Sequence, residues 1–133
     1  MDDIKNKLIE QIRSLRPLIQ TNDFYEIHKG CTDLIRLTNM LDMKEEVFIS
    51  EILESIFGNI YTTVQQSNIQ EYELQKIKGE LTKLLDETLN AYTNKNTQAL
   101  YMALRDMRFI ATQFQLKIRQ KNKRNYFQPE TTK

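Results

Sequence analysis

The broadest apolar pattern in this chain is MKEEVFISEILESIFGNIYTTVQQ, residues 43–66. Its hydrophobic side chains recur at spacings of three and four, which is the periodicity of one face of an α-helix. They form two neighbouring rows, and an apolar arc this wide predicts a helix that contacts more than one neighbour. The rows are Phe48, Ile52, Ile56, Ile60 and Val64, and Ile49, Leu53 and Phe57.

Four further amphipathic helices are predicted, over about 2–20, 23–41, 69–93 and 97–120. No stretch shows sustained period-two alternation bounded by hairpin turns, so the sequence predicts no sheet. The predicted core positions of these helices are Ile4, Leu8, Ile12, Leu15 and Ile19; Phe24, Ile27, Cys31, Leu34, Leu37 or Thr38, and Leu41; Leu74, Ile77, Leu81, Leu84, Leu85, Leu89 and Tyr92; and Leu100, Leu104, Met107, Ile110, Ala111, Phe114 and Ile118.

Several residues mark where these helices begin and end. Pro17 lacks a backbone donor, which predicts a kink there or an early end near Leu15. Short polar turns are expected at 21–23 and 94–96, and acidic or polar pairs at Asp42–Glu45 and Ser67–Gln70 match capping boxes.

The predicted fold is all-α, a single-domain five-helix antiparallel bundle over residues 1–120 with a basic, flexible C-terminal tail over 121–133. Apolar positions of the first two helices match those of the last two at an offset of 73 residues. One interpretation is two pseudo-equivalent helical hairpins docked around a central third helix. The other is that any two amphipathic hairpins align this well.

All three glycines, Gly30, Gly58 and Gly79, fall inside predicted helices. A glycine in a helix interior costs about 1 kcal/mol against alanine. Close approach of a neighbouring helix is the favoured explanation, and a ligand bound against the backbone is the alternative.

The composition argues against a catalytic or membrane-spanning protein. The chain has one histidine, one cysteine and no tryptophan, with 40% hydrophobic and 28% charged residues. No apolar run approaches the roughly 18 residues that a membrane span needs. We therefore expect no membrane association. A single cysteine cannot form an internal disulfide, which favours a reducing, cytoplasmic location.

The sequence offers no complete catalytic or metal site. His28 and Cys31 lie one helical turn apart, but a structural zinc site needs four ligands. The Glu51-x-x-Glu54 pair fits half of a magnesium site, and the acidic residues at 80 and 86–87 have the wrong spacing to complete it. We therefore predict a non-enzyme with no metal or cofactor. A metal-dependent hydrolase remains the third alternative.

Charge is unevenly distributed along the chain. Residues 101–133 carry eight Lys and Arg residues against two acids, a net charge of +6, whereas the whole chain has a net charge of +1. Basic residues beside aromatic rings suit phosphates and stacked bases, which predicts a nucleic-acid-binding segment centred on 117–127. The residues assigned to it are Arg105, Arg108, Lys117, Arg119, Lys121, Lys123, Arg124, Tyr126 and Phe127.

Part of this segment resembles the PIP box, the motif that binds sliding clamps. Gln120 stands at its first place, and Tyr126 and Phe127 stand at its paired aromatic places. Lys123 departs from the pattern, because it occupies the place of a hydrophobic anchor. The resemblance covers eight residues and implies a DNA-associated partner.

The leading functional hypothesis is a protein–protein adaptor or accessory subunit, or a bundle that self-associates. The wide apolar arc of the third helix, together with Phe24, Tyr25, Met40 and Met43, predicts an exposed groove for a partner helix. The alternative for this groove is that all these side chains belong to the core.

Overall fold

A computed structural model describes the backbone of residues 2–41 and 43–131, and the side chains of residues 3, 5–41 and 43–121. The predicted all-α fold is confirmed, and the described residues contain no strand. The helices are α1 (Asp2–Gln20), α2 (Phe24–Met40), α3 (Lys44–Gln66), α4 (Glu71–Thr93) and α5 (Thr97–Thr131).

The five helices form a closed ring in the order α1, α2, α3, α5, α4. Each helix packs mainly against two others, and α3 lies between α2 and α5. The predicted hairpins α1–α2 and α4–α5 therefore lie on either side of α3. They also contact each other directly through α1 and α4, where Arg16 donates to Asp86 across 3.2 Å.

Four of the five neighbouring pairs are antiparallel, as predicted, and the fifth pair is parallel. Phe48 near the start of α3 contacts Tyr101 near the start of α5, so these two helices run in the same direction. A closed ring of five helices with alternating directions must contain one such pair, because five is odd. Sequence spacing alone does not reveal which pair it is.

The core contains most of the predicted apolar positions, and the side chain of Ile4 lies outside the described residues. Leu41 and Phe48 are exceptions, with 42% and 44% of their surface exposed. Phe48 stands at the start of the first apolar row of α3, and Ile56 and Ile60 further along the same row are buried. The fully buried side chains include Leu8, Ile12, Leu15, Ile19, Ile27, Cys31, Ile49, Leu53, Phe57, Ile60, Leu81 and Met107.

Several helix boundaries differ from the sequence prediction. α1 continues past Pro17 to Gln20, so the predicted early end is wrong. Burial of Leu15 and Ile19 stabilises this last part of the helix. α5 continues beyond the predicted end near residue 120, and the flexibility of the tail stays a prediction.

The structure places the N-cap of α4 three residues later than predicted. α3 ends at Ser67 as its C-cap, and Gln70 is the N-cap of α4 without a side-chain hydrogen bond to the helix. Ser67 therefore does not begin α4. Asp42 lies outside the described residues, and Met43 is the N-cap of α3.

In the turn between α1 and α2, Asn22 and Asp23 cap the C-terminus of α1, and Asp23 is also the N-cap of α2. The Asp23 N–H donates to the Leu18 carbonyl, and the Asn22 N–H donates to the Ile19 carbonyl. This is the Schellman arrangement, with Asn22 in the left-handed region at φ 62°. The Asp23 side chain then accepts from the Glu26 N–H at 3.3 Å and caps α2, as predicted.

The turn between α4 and α5 repeats the same geometry. The Asn96 N–H donates to the Ala91 carbonyl, the Lys95 N–H donates to the Tyr92 carbonyl, and Lys95 has φ 57°. The Asn96 side chain accepts from the Ala99 N–H at 3.2 Å. These residues stand 73 positions after their counterparts in the first turn. The two hairpins thus share turn geometry as well as apolar spacing.

The glycines differ in what surrounds them. A Cβ at Gly58 would lie 3.1 Å from the His28 imidazole, and a Cβ at Gly30 would lie 3.0 Å from Gln11 Nε2, whereas Gly79 has open space. Close approach between α2 and α3, and between α1 and α2, explains Gly58 and Gly30. It does not explain Gly79.

The thiol of Cys31 and the hydroxyl of Tyr92 are held in their neutral, protonated forms. Burial, with a smaller contribution from Glu54, raises the pKa of the Cys31 thiol to about 12. Burial also raises the pKa of the Tyr92 hydroxyl, which donates a 2.8 Å hydrogen bond to the Glu46 carboxylate across the bundle. Both groups ionise more readily in the unfolded chain than in the folded one.

We therefore expect the bundle to lose stability as the pH rises above 9. A group whose pKa is higher in the folded state stabilises the fold fully at pH values below its unfolded pKa. For the Cys31 thiol, this stabilisation is present below pH 9.0 and is lost as the pH rises toward 12. The thiol alone contributes a loss of about 2–3 kcal/mol by pH 11. Urea unfolding at pH 8 and pH 11 measures this loss, and the double variant Cys31→Ala, Tyr92→Phe should show a smaller one. An equal loss in both proteins would contradict the prediction.

Candidate interaction surface

The outward side of α5 carries large apolar side chains that no neighbouring helix covers. Tyr101, Phe109 and Leu116 are 44%, 63% and 45% exposed. Phe48 from α3 and Tyr72 from α4 are also exposed and lie beside them. We call these five residues the α5 face. Contiguous exposed apolar surface is uncommon on a soluble domain unless it binds something.

One groove of this surface lies between α3 and α5, with a volume of about 400 Å³. Its aromatic wall is preformed, because the Phe48 and Tyr101 rings meet edge to face with centroids 5.4 Å apart. We call it the α3–α5 groove, and it is lined by Phe48, Ile52, Tyr101, Leu104, Arg105, Arg108, Phe109 and Thr112.

A second groove lies on the other side of α5, against α4, with a volume of about 560 Å³. It shares Phe109 with the first groove, so Phe109 forms the ridge between the two. The polar lining of this α4–α5 groove has mixed charge, with Glu73 and Glu80 beside Lys76 and Lys117.

Two lysines that were predicted to form a free basic surface are paired with a buried carboxylate. Only 4% of the Glu73 side chain is exposed, and Lys121 Nζ donates to its Oε1 at 2.5 Å. Lys117 Nζ lies 3.8 Å from its Oε2, and Lys121 also lies over the Tyr72 ring. The hydrogen bond to Glu73 raises the pKa of Lys121. Part of the predicted cationic segment is therefore a fixed contact between α4 and α5.

The remaining predicted residues fall into two groups. Arg105 and Arg108 both line the α3–α5 groove, and Arg119 is exposed further along α5. The Arg105 guanidinium pairs with Asp106 at 3.3 Å, with 70% of the arginine side chain exposed. The side chains of Lys123, Arg124, Tyr126 and Phe127 lie outside the described residues.

The sliding-clamp resemblance is therefore untested at its aromatic positions. Gln120, its first residue, lines the α4–α5 groove. Tyr126 and Phe127 belong to the part of α5 whose side chains are not described.

The exposed groove predicted from the third helix together with Phe24, Tyr25, Met40 and Met43 is wrong in part. Phe24 and Met43 are buried, at 2% and 6% exposure, and pack in the bundle. Met40 and Tyr25 are exposed, but Tyr25 packs against Tyr61 between α2 and α3. Core packing, the alternative explanation, holds for Phe24 and Met43.

The acidic residues of α3, among them the Glu51 and Glu54 pair considered for a magnesium site, lie in different surroundings. Glu46 is 7% exposed and accepts the hydrogen bond of Tyr92. Glu54 lies 3.9 Å from the His28 imidazole, and Glu51 is exposed. Within the described part of the chain, no three His, Cys, Asp or Glu side chains are grouped as a metal site would require. Over the same residues, no helix has the length and hydrophobicity to cross a membrane.

Two residues of the α5 face are recognisable in the sequence by their position relative to the apolar stripe of the helix. Phe109 and Leu116 fall off the apolar stripe of α5, which follows Leu104, Met107 and Phe114. Apolar residues on the polar side of an amphipathic helix are candidates for an interface. Comparison with known proteins adds nothing to this surface, because no protein-family model, curated protein or solved structure matches the chain.

Proposed function

We propose that this chain is a non-catalytic binding protein that engages a protein partner through the α5 face. The observation that carries the proposal is the exposed apolar ridge at Phe109, with a groove on each side and the preformed Phe48–Tyr101 pair in one of them. Rigid aromatic side chains in desolvated pockets contribute most of the binding energy at protein interfaces.

Nucleic acid is a weaker candidate for the same surface. Binding to phosphates requires several cations free to neutralise them. Lys117 and Lys121 already compensate the buried Glu73, so their charge is not fully available. Leu116 is also exposed, and burial of its aliphatic side chain is more favourable against a protein surface than against a nucleobase.

The proposal predicts that one substitution on the ridge abolishes partner recovery. Tagged wild-type chain and the Phe109→Asp variant are used for affinity capture from the native host, with and without nuclease treatment. Phe109 is 63% exposed, so the change removes an anchor without opening the core. We expect recovery of specific proteins to fall about tenfold or more in the variant, as for a central aromatic anchor.

Tyr25→Asp is the matched control, because Tyr25 is an aromatic residue with 52% exposure on α2, which does not neighbour α5. This variant should recover the same proteins as the wild type. Circular dichroism checks that all three chains are equally helical. Equal recovery by Phe109→Asp, or loss of the proteins on nuclease treatment, would overturn the proposal.

A further inference from the structure

We infer that the partner segment is an acidic amphipathic α-helix that lies in the α3–α5 groove. Its apolar side contacts Phe48, Tyr101 and Phe109, and carboxylates along its flank meet Arg105 and Arg108. The inference rests on the proposed function and goes further, because it specifies the groove, the secondary structure and the charge of the partner.

The geometry of the groove suits a helix. α3 and α5 run in the same direction here, and the lining residues of α5 follow one another at steps of about one turn, from Tyr101 through Arg105 and Phe109 to Thr112. A partner helix presents anchors at positions i, i+3 or i+4, and i+7 with the same rise. Its apolar side therefore meets the Phe48–Tyr101 pair and Phe109, which lie about two turns apart along α5 with Arg105 between them.

The positive charge of the groove favours a partner with negative charge. Among the described residues that line it, Arg105 and Arg108 are the charged ones, and none is acidic. No described carboxylate lies within ion-pair distance of Arg108. Arg105 has only an exposed pair with Asp106, which is a weak interaction in water. The mixed charges of the α4–α5 groove give no such preference.

Selection from a displayed library of helical peptides tests this inference. The peptides have randomised apolar and flanking positions, the wild-type chain is the bait, and Phe109→Asp is the counter-bait. We expect the peptides that bind in a Phe109-dependent manner to carry Asp or Glu on the flanks of an aromatic or aliphatic stripe. Electrostatic complementarity of this kind determines which partner is accepted and how fast it associates.

A charge exchange on the selected peptide then locates the contact. Arg108→Glu should weaken binding about five- to tenfold, and changing the facing peptide glutamate to lysine should restore it. Arg36→Glu on α2 is the matched control, because it changes the net charge equally at an exposed arginine away from α5. It should change the affinity less than twofold.

Three results would overturn the inference. They are enrichment of Lys or Arg in the selected peptides, an equal effect of Arg108→Glu and Arg36→Glu, and selection of no Phe109-dependent peptide. Any of these alongside Phe109-dependent capture from the host would remove the acidic helix and leave the proposed function in place. If the capture fails and the selection succeeds, the proposed function is contradicted, and what remains is that the α3–α5 groove binds acidic helices.

Discussion

The Cys31 thiol should react with thiol reagents at least about a thousandfold more slowly in the folded protein than in the unfolded chain. The side chain has no exposed surface, and its pKa is raised from 9.0 to about 12. Only the thiolate is nucleophilic, so three units of pKa reduce its fraction at pH 8 about a thousandfold before access is considered. Reaction then proceeds through opening of the bundle.

Ellman's reagent at pH 8 measures this difference, with the chain in 8 M urea and free glutathione as references for an accessible thiol. Cys31→Ala, which retains no thiol, gives the background. Addition of urea below the unfolding transition should accelerate the reaction in proportion to the population of the open state. Reaction of the native chain within tenfold of the unfolded chain would contradict the prediction and the position of Cys31 in the core.

Replacing two glycines of this bundle by alanine should change stability in opposite directions. Gly79→Ala adds a methyl group where no atom lies within 4 Å, so it should raise the free energy of unfolding by about 0.5–1 kcal/mol through helix propensity. Gly58→Ala places its Cβ 3.1 Å from the His28 ring. That ring stacks on Tyr61 and faces Glu54 at 3.9 Å, so its movement is opposed.

We expect Gly58→Ala to lower the free energy of unfolding by about 1 kcal/mol, because overpacking outweighs the propensity gain. Urea unfolding measures both variants, and the same change is made in a His28→Ala background. There the clash is absent, so Gly58→Ala should become stabilising, as Gly79→Ala is. Stabilisation of the chain by Gly58→Ala with His28 present would show that α2 and α3 are not as close as the structure has them.

Most of the core was predictable because helix periodicity depends on local spacing. Leu8, Ile12 and Leu15 recur at steps of four and three, as residues on one face of a helix do, and they are buried. Asp23 and Asn96 likewise cap their helices through bonds that span three residues. Pro17 misled the boundary prediction, since one missing hydrogen bond near a helix end is offset by the burial of Ile19.

The site was less predictable because exposure depends on which helices become neighbours. Phe48 has the periodicity of a core residue, and Ile56 and Ile60 of the same row are buried, but Phe48 itself remains at the rim of the α3–α5 groove. Lys117 and Lys121 have the pattern of a free basic surface, but Glu73 on α4 lies 48 residues from Lys121 in the chain and binds it. No local pattern contains such a pairing.

Local spacing and turn chemistry were sufficient to specify five helices, their apolar stripes and the two matching hairpin turns, since these depend on residues at most a few positions apart. The ring order of the helices, the parallel α3–α5 pair, the burial of Glu73 and the exposure of Phe109 came from tertiary packing. They depend on contacts between segments that are distant in the chain. In a bundle, the apolar stripe of one helix can pack against several others, so its spacing does not determine which helix becomes its neighbour.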